Sequence, residues 1–347
     1  MDRIKTAIVG ASGYTGMELL RLLLIHPGVE LVAATSRTEA GNTIASVFPR
    51  FQGAEAAELP FIEPDPDEIS ASGAQVAFLA LPHGVAAEIA RALLEQGLRV
   101  IDLSADFRLN DPAVYEEFYG HPHPAIDLLE EAVYGLVETR PEAVSEANLV
   151  ASPGCYPTSI LLPLIPLLKA GLIEHHTIVA NSMSGVSGAG RNAKVQFLYV
   201  ECNESARAYG LPKHRHLSEI EQELSIAADE AVTLTFIPHL IPLNSGIATT
   251  TTATLKESAD ITAVGKALTT AYADCHFVRL LGEGVCADTK NVSRTNFIDI
   301  GWHQDARTGR VILTSAEDNL GKGAGGQAIQ SFNLMYGLNP TEGLQNF

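Results

Sequence analysis

Cys155 stands in the run Ser152-Pro153-Gly154-Cys155-Tyr156-Pro157-Thr158, between an apolar lead-in at 148–151 and a long apolar segment, Ile160 to Leu168. Pro157 suits the first turn of a helix, where a missing N–H costs nothing. Cys155 then sits just before a helix N-terminus and faces its unpaired N–H groups and the positive end of its dipole. Both stabilise a thiolate, and both would hold an oxyanion on a carbonyl attacked by the sulfur. The heptapeptide alone fits a buried structural cysteine equally well, because free cysteine is among the most buried residue types. A second dense run is Lys213-His214-Arg215-His216-Leu217-Ser218-Glu219-Ile220-Glu221. Ser218 and Glu221 have capping-box spacing, which predicts a helix from near Glu219, with His214 and His216 just before it. An imidazole there gives or takes a proton near neutral pH, and Glu219 follows His216 at a spacing that would orient its ring. Neither histidine is accompanied by Cys, Asp or Glu at metal-ligand spacing, so no metal is expected.

The N-terminal half has to supply whatever these groups react with. Ile4 to Val9 reads as a strand, Gly10-Ala11-Ser12-Gly13-Tyr14-Thr15-Gly16 as a glycine turn, and Met17 to Ile25 as a helix. That context makes a dinucleotide fingerprint credible, although the spacing is GxxGxxG rather than GxGxxG. Cofactor contacts are expected from Gly10, Ser12, Gly13, Tyr14, Thr15 and Gly16. The second strand, Glu30 to Ala34, runs into Thr35-Ser36-Arg37. No carboxylate is there to hold ribose hydroxyls, and a guanidinium is, so Ser36 and Arg37 point to a 2′-phosphate and to NADP. Strands at Gln75–Leu81 and Arg99–Leu103 alternate with a helix at Val85–Glu95, the pattern of a doubly wound parallel sheet. Ligands gather at the carboxyl ends of such strands, which brings His83, Ser104, Asp106 and Arg108 into view. Asp106 and Arg108 are close enough in sequence to pair. Residues 110–147 read as an excursion over the surface.

After the cysteine loop, Thr177 to Met183 is a strand that ends in Ser184-Gly-Val-Ser-Gly-Ala-Gly190-Arg191. Small residues let such a loop approach a ligand closely, and Arg191 is suited to clamp a carboxylate or phosphate. Segments at Val232–Ile237, Ile247–Leu255, Phe297–Trp302 and Val311–Thr314 suggest a mostly antiparallel sheet, with helices at 159–169 and 260–273. The Thr-rich strand Thr249–Thr254 would suit a subunit interface. Asp318-Asn319-Leu-Gly-Lys322-Gly-Ala-Gly-Gly326 then opens a last helix, Gln327 to Tyr336.

The chain has 347 residues, enough for two domains, and a formal net charge of -18, which disfavours nucleic acid and anionic membranes as partners. Cys155, Cys202, Cys275 and Cys286 are spaced neither as CxxC nor as a disulfide framework and read as free thiols. No signal peptide and no membrane-length apolar run is visible, so a cytoplasmic location is expected.

Taken together, the runs AIVGASGYTGMELLRLL, TSR, IDLSADFRL, EAVYGL, PGCYPT, SGVSGAGR, HRHLSEIEQEL, FIPHLIP and DNLGKGAGGQAIQSFNLM are similar, nearly end to end, to the N-acetyl-gamma-glutamyl-phosphate reductases of arginine biosynthesis. The resemblance implies an α/β protein: a Rossmann-type doubly wound sheet plus an α+β catalytic and dimerisation domain of the semialdehyde dehydrogenase type. The expected NADP domain is 1–154 with 317–347, the C-terminal helix returning to it, and the expected catalytic domain is 155–316. The resemblance also implies a homodimer or homotetramer, Cys155 as nucleophile, His216 as acid/base with His214 nearby, and Asn319 near the nicotinamide. Arg108, Ser184 and Arg191 are the candidates for substrate. Two positions depart from the family pattern: Ser245 where an arginine is usual, and Ser152 where asparagine precedes Pro-Gly-Cys. A lysine-biosynthesis reductase acting on carrier-bound aminoadipyl phosphate therefore stays an alternative. So do aspartate-semialdehyde dehydrogenase, a non-catalytic NADP sensor and a thiol hydrolase. The HRH loop, SGVSGAGR, the Cys155/His216 set and the N-terminal half argue against these last three.

Overall fold

The computed structural model describes residues 2–191 and 193–345; residues 1, 346 and 347 of the expected first domain lie outside them. Two compact units divide the chain, 1–153 with 324–347 and 154–323.

The first unit is built on a seven-stranded sheet in the order β3-β2-β1-β4-β5-β7-β6. The strands are β1 (Ile4–Val9), β2 (Val29–Thr35), β3 (Phe61–Ile62), β4 (Val76–Leu79), β5 (Arg99–Asp102), β6 (Ala132–Tyr134) and β7 (Leu149–Ala151). Every neighbouring pair is parallel. Period-two alternation gives the sheet two apolar faces. Ala7, Val9, Ala77 and Leu79 pack with Ala86, Ala90 and Leu93 of the helix Ala86–Glu95. Phe78 points the other way, its ring centroid 5.8 Å from that of Phe332 on the C-terminal helix Gly326–Met335. That helix is tied down by the Arg99 guanidinium, which donates to the Met335 carbonyl, and by the Tyr336 hydroxyl on the Gln75 carbonyl at 3.2 Å.

Residues 110–147 are not a surface excursion. They contain β6, and Tyr115 is fully buried, with its hydroxyl donating to Asp106 Oδ1 at 2.8 Å. The other contacts of the Asp106 carboxylate, Gly84 N–H at 2.7 Å and Ala87 N–H at 3.1 Å, lie at the start of the helix Ala86–Glu95. Asp106 therefore acts as that helix's anion, and Arg108 donates to two carbonyls, Ser152 at 2.8 Å and Leu103 at 2.9 Å. Deeper still, Asp102 at the end of β5 accepts both the N–H and the hydroxyl of Ser104. Burial, then the neighbouring Asp106, push its carboxyl up from 3.8 to about 7.

The second unit carries a mixed sheet in the order β12-β13-β14-β11-β8-β10-β9. Its strands are β8 (Ile173–Ser184), β9 (Arg207–Ala208), β10 (Thr235–Leu240), β11 (Ile247–Leu255), β12 (Val278–Glu283), β13 (Ile298–Asp305) and β14 (Arg310–Glu317). β10 with β8 and β12 with β13 are parallel; the remaining pairs are antiparallel. One face carries the helix Cys155–Lys169, whose residues Tyr156 to Leu168 are all buried. On β11, Ile247, Thr249, Thr251 and Ala253 point to that helix side, and Thr250 between them is exposed. Residues 317–323 group with this unit because Asp318 accepts from Ser245 and Asn319 binds Gly246 and Ser187.

A group whose folded pKa lies above its unfolded one stabilises at low pH and loses that contribution as pH rises through the folded value. Asp102 does this between 3.8 and about 7. Asp102→Asn is expected to remove the loss, so its stability relative to wild type should rise by on the order of 4 kcal/mol from acid to alkaline pH. Urea midpoints across that range check it; parallel wild-type and variant curves would refute it.

Candidate active site

Cys155 is the first residue of its helix, and the N-cap Gly154 makes no side-chain cap bond. The N–H of Gly154 is instead held by Glu219, whose Oε1 accepts it at 2.8 Å. Glu219 is 1% exposed and lies in the first turn of the helix His216–Ala228. The cysteine and histidine helices thus meet at their N-termini, and Glu219 touches the cysteine loop as well as sharing a turn with His216. The capping-box expectation fails. The helix begins at His216, the Ser218 hydroxyl donates back to the Arg215 carbonyl at 3.0 Å, and Glu221 accepts the Leu234 N–H at 3.2 Å. With the helix starting earlier, Ser218 sits inside the first turn, where it can no longer cap.

Aromatic rings enclose the two histidines. The Tyr156 ring lies 5.6 Å from His214, 5.9 Å from His216 and 5.3 Å from Phe236 between centroids. Tyr209 Oη donates to Tyr156 Oη at 3.0 Å, and Tyr156 donates onward to the His239 carbonyl at 3.3 Å. Burial and the nearby Cys155 push the Tyr209 phenol up to about 12, and burial raises Tyr156 further, so both remain neutral donors. His214 Nδ1 accepts the N–H of His216 at 3.1 Å, which leaves the ring proton on Nε2. Burial, then the adjacent Arg215, pull its pKa from 6.5 to about 4. His214 is therefore a neutral support for the backbone at His216.

A buried chain of hydroxyls fastens the cysteine helix to its sheet. Ser159 Oγ lies 2.8 Å from Thr249 Oγ1, which lies 2.8 Å from Ser182 Oγ, and Ser315 Oγ donates to the Ser159 carbonyl at 2.6 Å. Ser184, at the end of β8, is buried with its hydroxyl on the Gly185 carbonyl at 3.0 Å. Arg191 is exposed just beyond that loop. Asn319 is 2% exposed and uses both ends of its amide, Oδ1 on Gly246 N–H at 2.7 Å and Nδ2 on Ser187 Oγ at 3.0 Å. It ties the small-residue loop to the turn that contains Ser245.

The glycine turn of the first unit fits a dinucleotide. Gly16 has to be glycine, because a Cβ there would stand 2.4 Å from the Gly10 carbonyl oxygen. Gly13 is different: an added Cβ would meet only Gly10 O, at 3.8 Å, so space lies open at the helix start. Gly13 is the N-cap of Tyr14–Leu23, with no side-chain cap bond and no acidic residue in the first turn, which suits a pyrophosphate. Ser12 Oγ is 2.8 Å from Ser36 Oγ, and Arg37 is exposed beside it at the end of β2, which suits a 2′-phosphate.

Tyr156, Tyr209, Phe236, Asp102 and Glu317 were not singled out by sequence reasoning. For Glu317 a signal existed: it falls on the buried parity of a strand that alternates Val311, Leu313, Ser315.

Comparison with known proteins gives the chain's family and fold. Residues 5–147 match the family described as semialdehyde dehydrogenase, NAD binding domain, and residues 155–319 match semialdehyde dehydrogenase, dimerisation domain. The N-acetyl-gamma-glutamyl-phosphate reductase of Akkermansia muciniphila is 63% identical over 99% of this chain and 99% of its own. The enzyme of the same name from Rhodospirillum rubrum is 50% identical over 99% of this chain and 97% of its own. Among solved structures, aspartate semialdehyde dehydrogenase II from Vibrio cholerae, complexed with ASA, superposes with a TM-score of 0.73 at 16% identity, covering 97% of this chain and 99% of that one. At that identity the likeness speaks for the fold.

Depressing a histidine's pKa makes the fold less stable in acid, because the unfolded ring takes up a proton that the folded ring refuses. For His214 the window runs from 6.5 down to about 4. His214→Asn keeps an acceptor for the His216 N–H and should lose about 3 kcal/mol less than wild type across that window. Denaturant midpoints measured across the window decide it, and an unchanged acid slope would count against a buried neutral His214.

Proposed function

This chain belongs to the N-acetyl-gamma-glutamyl-phosphate reductases, and we propose that it reduces N-acetyl-gamma-glutamyl phosphate to N-acetyl-glutamate 5-semialdehyde and phosphate, with NADPH as reductant, in arginine biosynthesis. The observation that carries the mechanism is the Glu219–Gly154 bond, which sets the nucleophile's helix start against the turn bearing His216. Cys155 attacks the acyl carbon as the thiolate, the C–O bond to phosphate breaks, and a thioester remains on sulfur. Helix N–H groups at Cys155 face the oxyanion that forms on the way. Gly10 to Gly16 with Ser36 and Arg37 would hold NADPH, which would supply a hydride to that acyl carbon. His216 gives its proton to the oxygen as the thiohemiacetal forms and takes it back as the C–S bond breaks, so the aldehyde leaves and sulfur departs as the thiolate. His214, neutral and bonded to the His216 backbone, supports this transfer.

Departure of phosphate before reduction explains the need for a thiol, since a thioester is a better hydride acceptor than the carboxylate that hydrolysis would leave. Arg191, exposed beside the small-residue loop, is our candidate for the substrate's anionic groups, with Ser184 at the base of that loop. Arg108 and Asn319 have side-chain bonds to the protein itself, which favours supporting roles for them.

The protein is an oligomeric enzyme acting on a small molecule. We propose a homodimer or homotetramer assembled through the sheet face opposite the cysteine helix, where Thr250 and Met183 are exposed on adjacent central strands. Among the described residues no helix is long and apolar enough to cross a membrane. A cytoplasmic site of action fits the biosynthetic role.

Two measurements test these statements. With N-acetyl-glutamate semialdehyde, phosphate and NADP, the wild type should form NADPH only when phosphate is present, and Cys155→Ala should lose roughly 10⁴-fold or more of the rate. Phosphate-independent turnover, or activity surviving in the variant, would exclude the thioester route. Thr250→Arg, which places like charges on the proposed face, should shift the protein toward monomer in light scattering; an unchanged mass would move the interface elsewhere.

A further inference from the structure

Glu317 ends β14 as the last member of a buried row, Val311, Leu313, Ser315 and Glu317, all on one face of the strand. Ser315 identifies that face, because its hydroxyl donates to the carbonyl of Ser159 on the cysteine helix. Ser159 stands about one helical turn beyond Cys155. The gap between Glu317 and the nucleophile is measured by Gly323. A Cβ on that glycine would lie 2.8 Å from Cys155 Cβ and 2.9 Å from Glu317 Oε1. The carboxylate oxygen and the cysteine Cβ are therefore less than about 6 Å apart, separated by a residue with no side chain.

The carboxylate lies away from solvent. Glu317 is fully buried, and the residues opposite it in the two ladders, Ile247 of β11 and Ile298 of β13, are fully buried and apolar. The following loop brings two charged groups. Asp318 is bonded to Arg294 N–H, Leu320 N–H, Gly321 N–H and the Ser245 hydroxyl, and Lys322 is fully buried. The cysteine helix contributes Cys155. A fully buried carboxylate within this reach of a half-buried cysteine makes two negative charges on the pair costly to hold together.

We propose that Glu317 is a positioning residue that acts through Cys155 by accepting its thiol proton. The S–H bond breaks, an O–H bond forms on the carboxylate, and the pair keeps one negative charge throughout. This rests on Cys155 being the nucleophile. The proton stays on Glu317 while the thioester forms, and release of the aldehyde returns the thiolate, so the pair ends each turnover as it began.

Two groups sharing one proton titrate as a pair. Alkylation of Cys155 by iodoacetamide, located by peptide mass spectrometry on the full-length protein, reads the thiolate directly from about pH 5 to about pH 10. The wild type should show two steps separated by a plateau. Glu317→Gln, and Glu317→Met where Gln does not fold, should show one step, its midpoint displaced by about one pH unit or more from either wild-type step. Glu317→Asp, which keeps the acceptor, should restore two. Superimposable profiles for wild type and Glu317→Gln or Glu317→Met would overturn the proposal and leave the carboxylate a structural group. A wild-type Cys155 that never alkylates, together with NADPH formation surviving in Cys155→Ala, would overturn the underlying assignment of the nucleophile as well.

Discussion

The hydrogen bond from Gly154 N–H to Glu219 is the constraint on which the catalytic unit depends. A helix N-terminus presents N–H groups that need acceptors, and the residue before Cys155 has no side chain to provide one. The acceptor comes from another helix, so the cysteine helix and the histidine helix cannot be placed independently. A charged acceptor makes this bond stronger than a neutral one, and its burial at 1% exposure makes leaving it unmade costly. The same carboxylate adds negative charge next to the nucleophile's loop. The helix dipole and N–H groups at Cys155 have to outweigh that charge for the thiolate to form.

Rigidity comes from a different set of contacts. Pro163 and Pro166 lie inside the cysteine helix and remove two of its backbone donors. An isolated helix with this sequence would be poor. It is held by burial on every side and by the run Ser182–Thr249–Ser159–Ser315, which fastens it to three adjacent strands. The central position of β11 in the sheet explains its threonines: one face needs small polar groups for that run, and the other is open at Thr250.

Much of this was legible in the sequence because it rests on local patterns. β1 and β11 fall where their strand-like runs put them, the glycine turn follows its strand, and the helix after the cysteine loop begins within a residue or two of its expected start, at Cys155 itself. Errors arose where a side chain's partner is distant in sequence. Ser218 and Glu221 match a local capping pattern, but the helix start is decided by the docking of Glu219 on Gly154, 65 residues away. Asp106 and Arg108 look like a pair at short range, yet Asp106 serves the helix start at Gly84 and Ala87 and Arg108 serves the Ser152 carbonyl. Tyr115 looked like a loop residue until its hydroxyl had a buried carboxylate to bind.

Gly323 shows why the glycine-rich stretch near the C-terminus is harder to read than the one near the N-terminus. Both look like ligand-hugging loops. At Gly13 the space is open, as a ligand requires. At Gly323 it is occupied by Cys155 and Glu317, so the glycine permits an approach within the protein itself. Any side chain at 323 would push the nucleophile away from the carboxylate or the helix away from β14. Because the helix is anchored to β14 through Ser315 and Ser159, the second movement would break a buried bond. The separation of Cys155 and Glu317 is thus set by the sheet, the helix and one missing Cβ together, a degree of determination that a merely solvated surface carboxylate would not have.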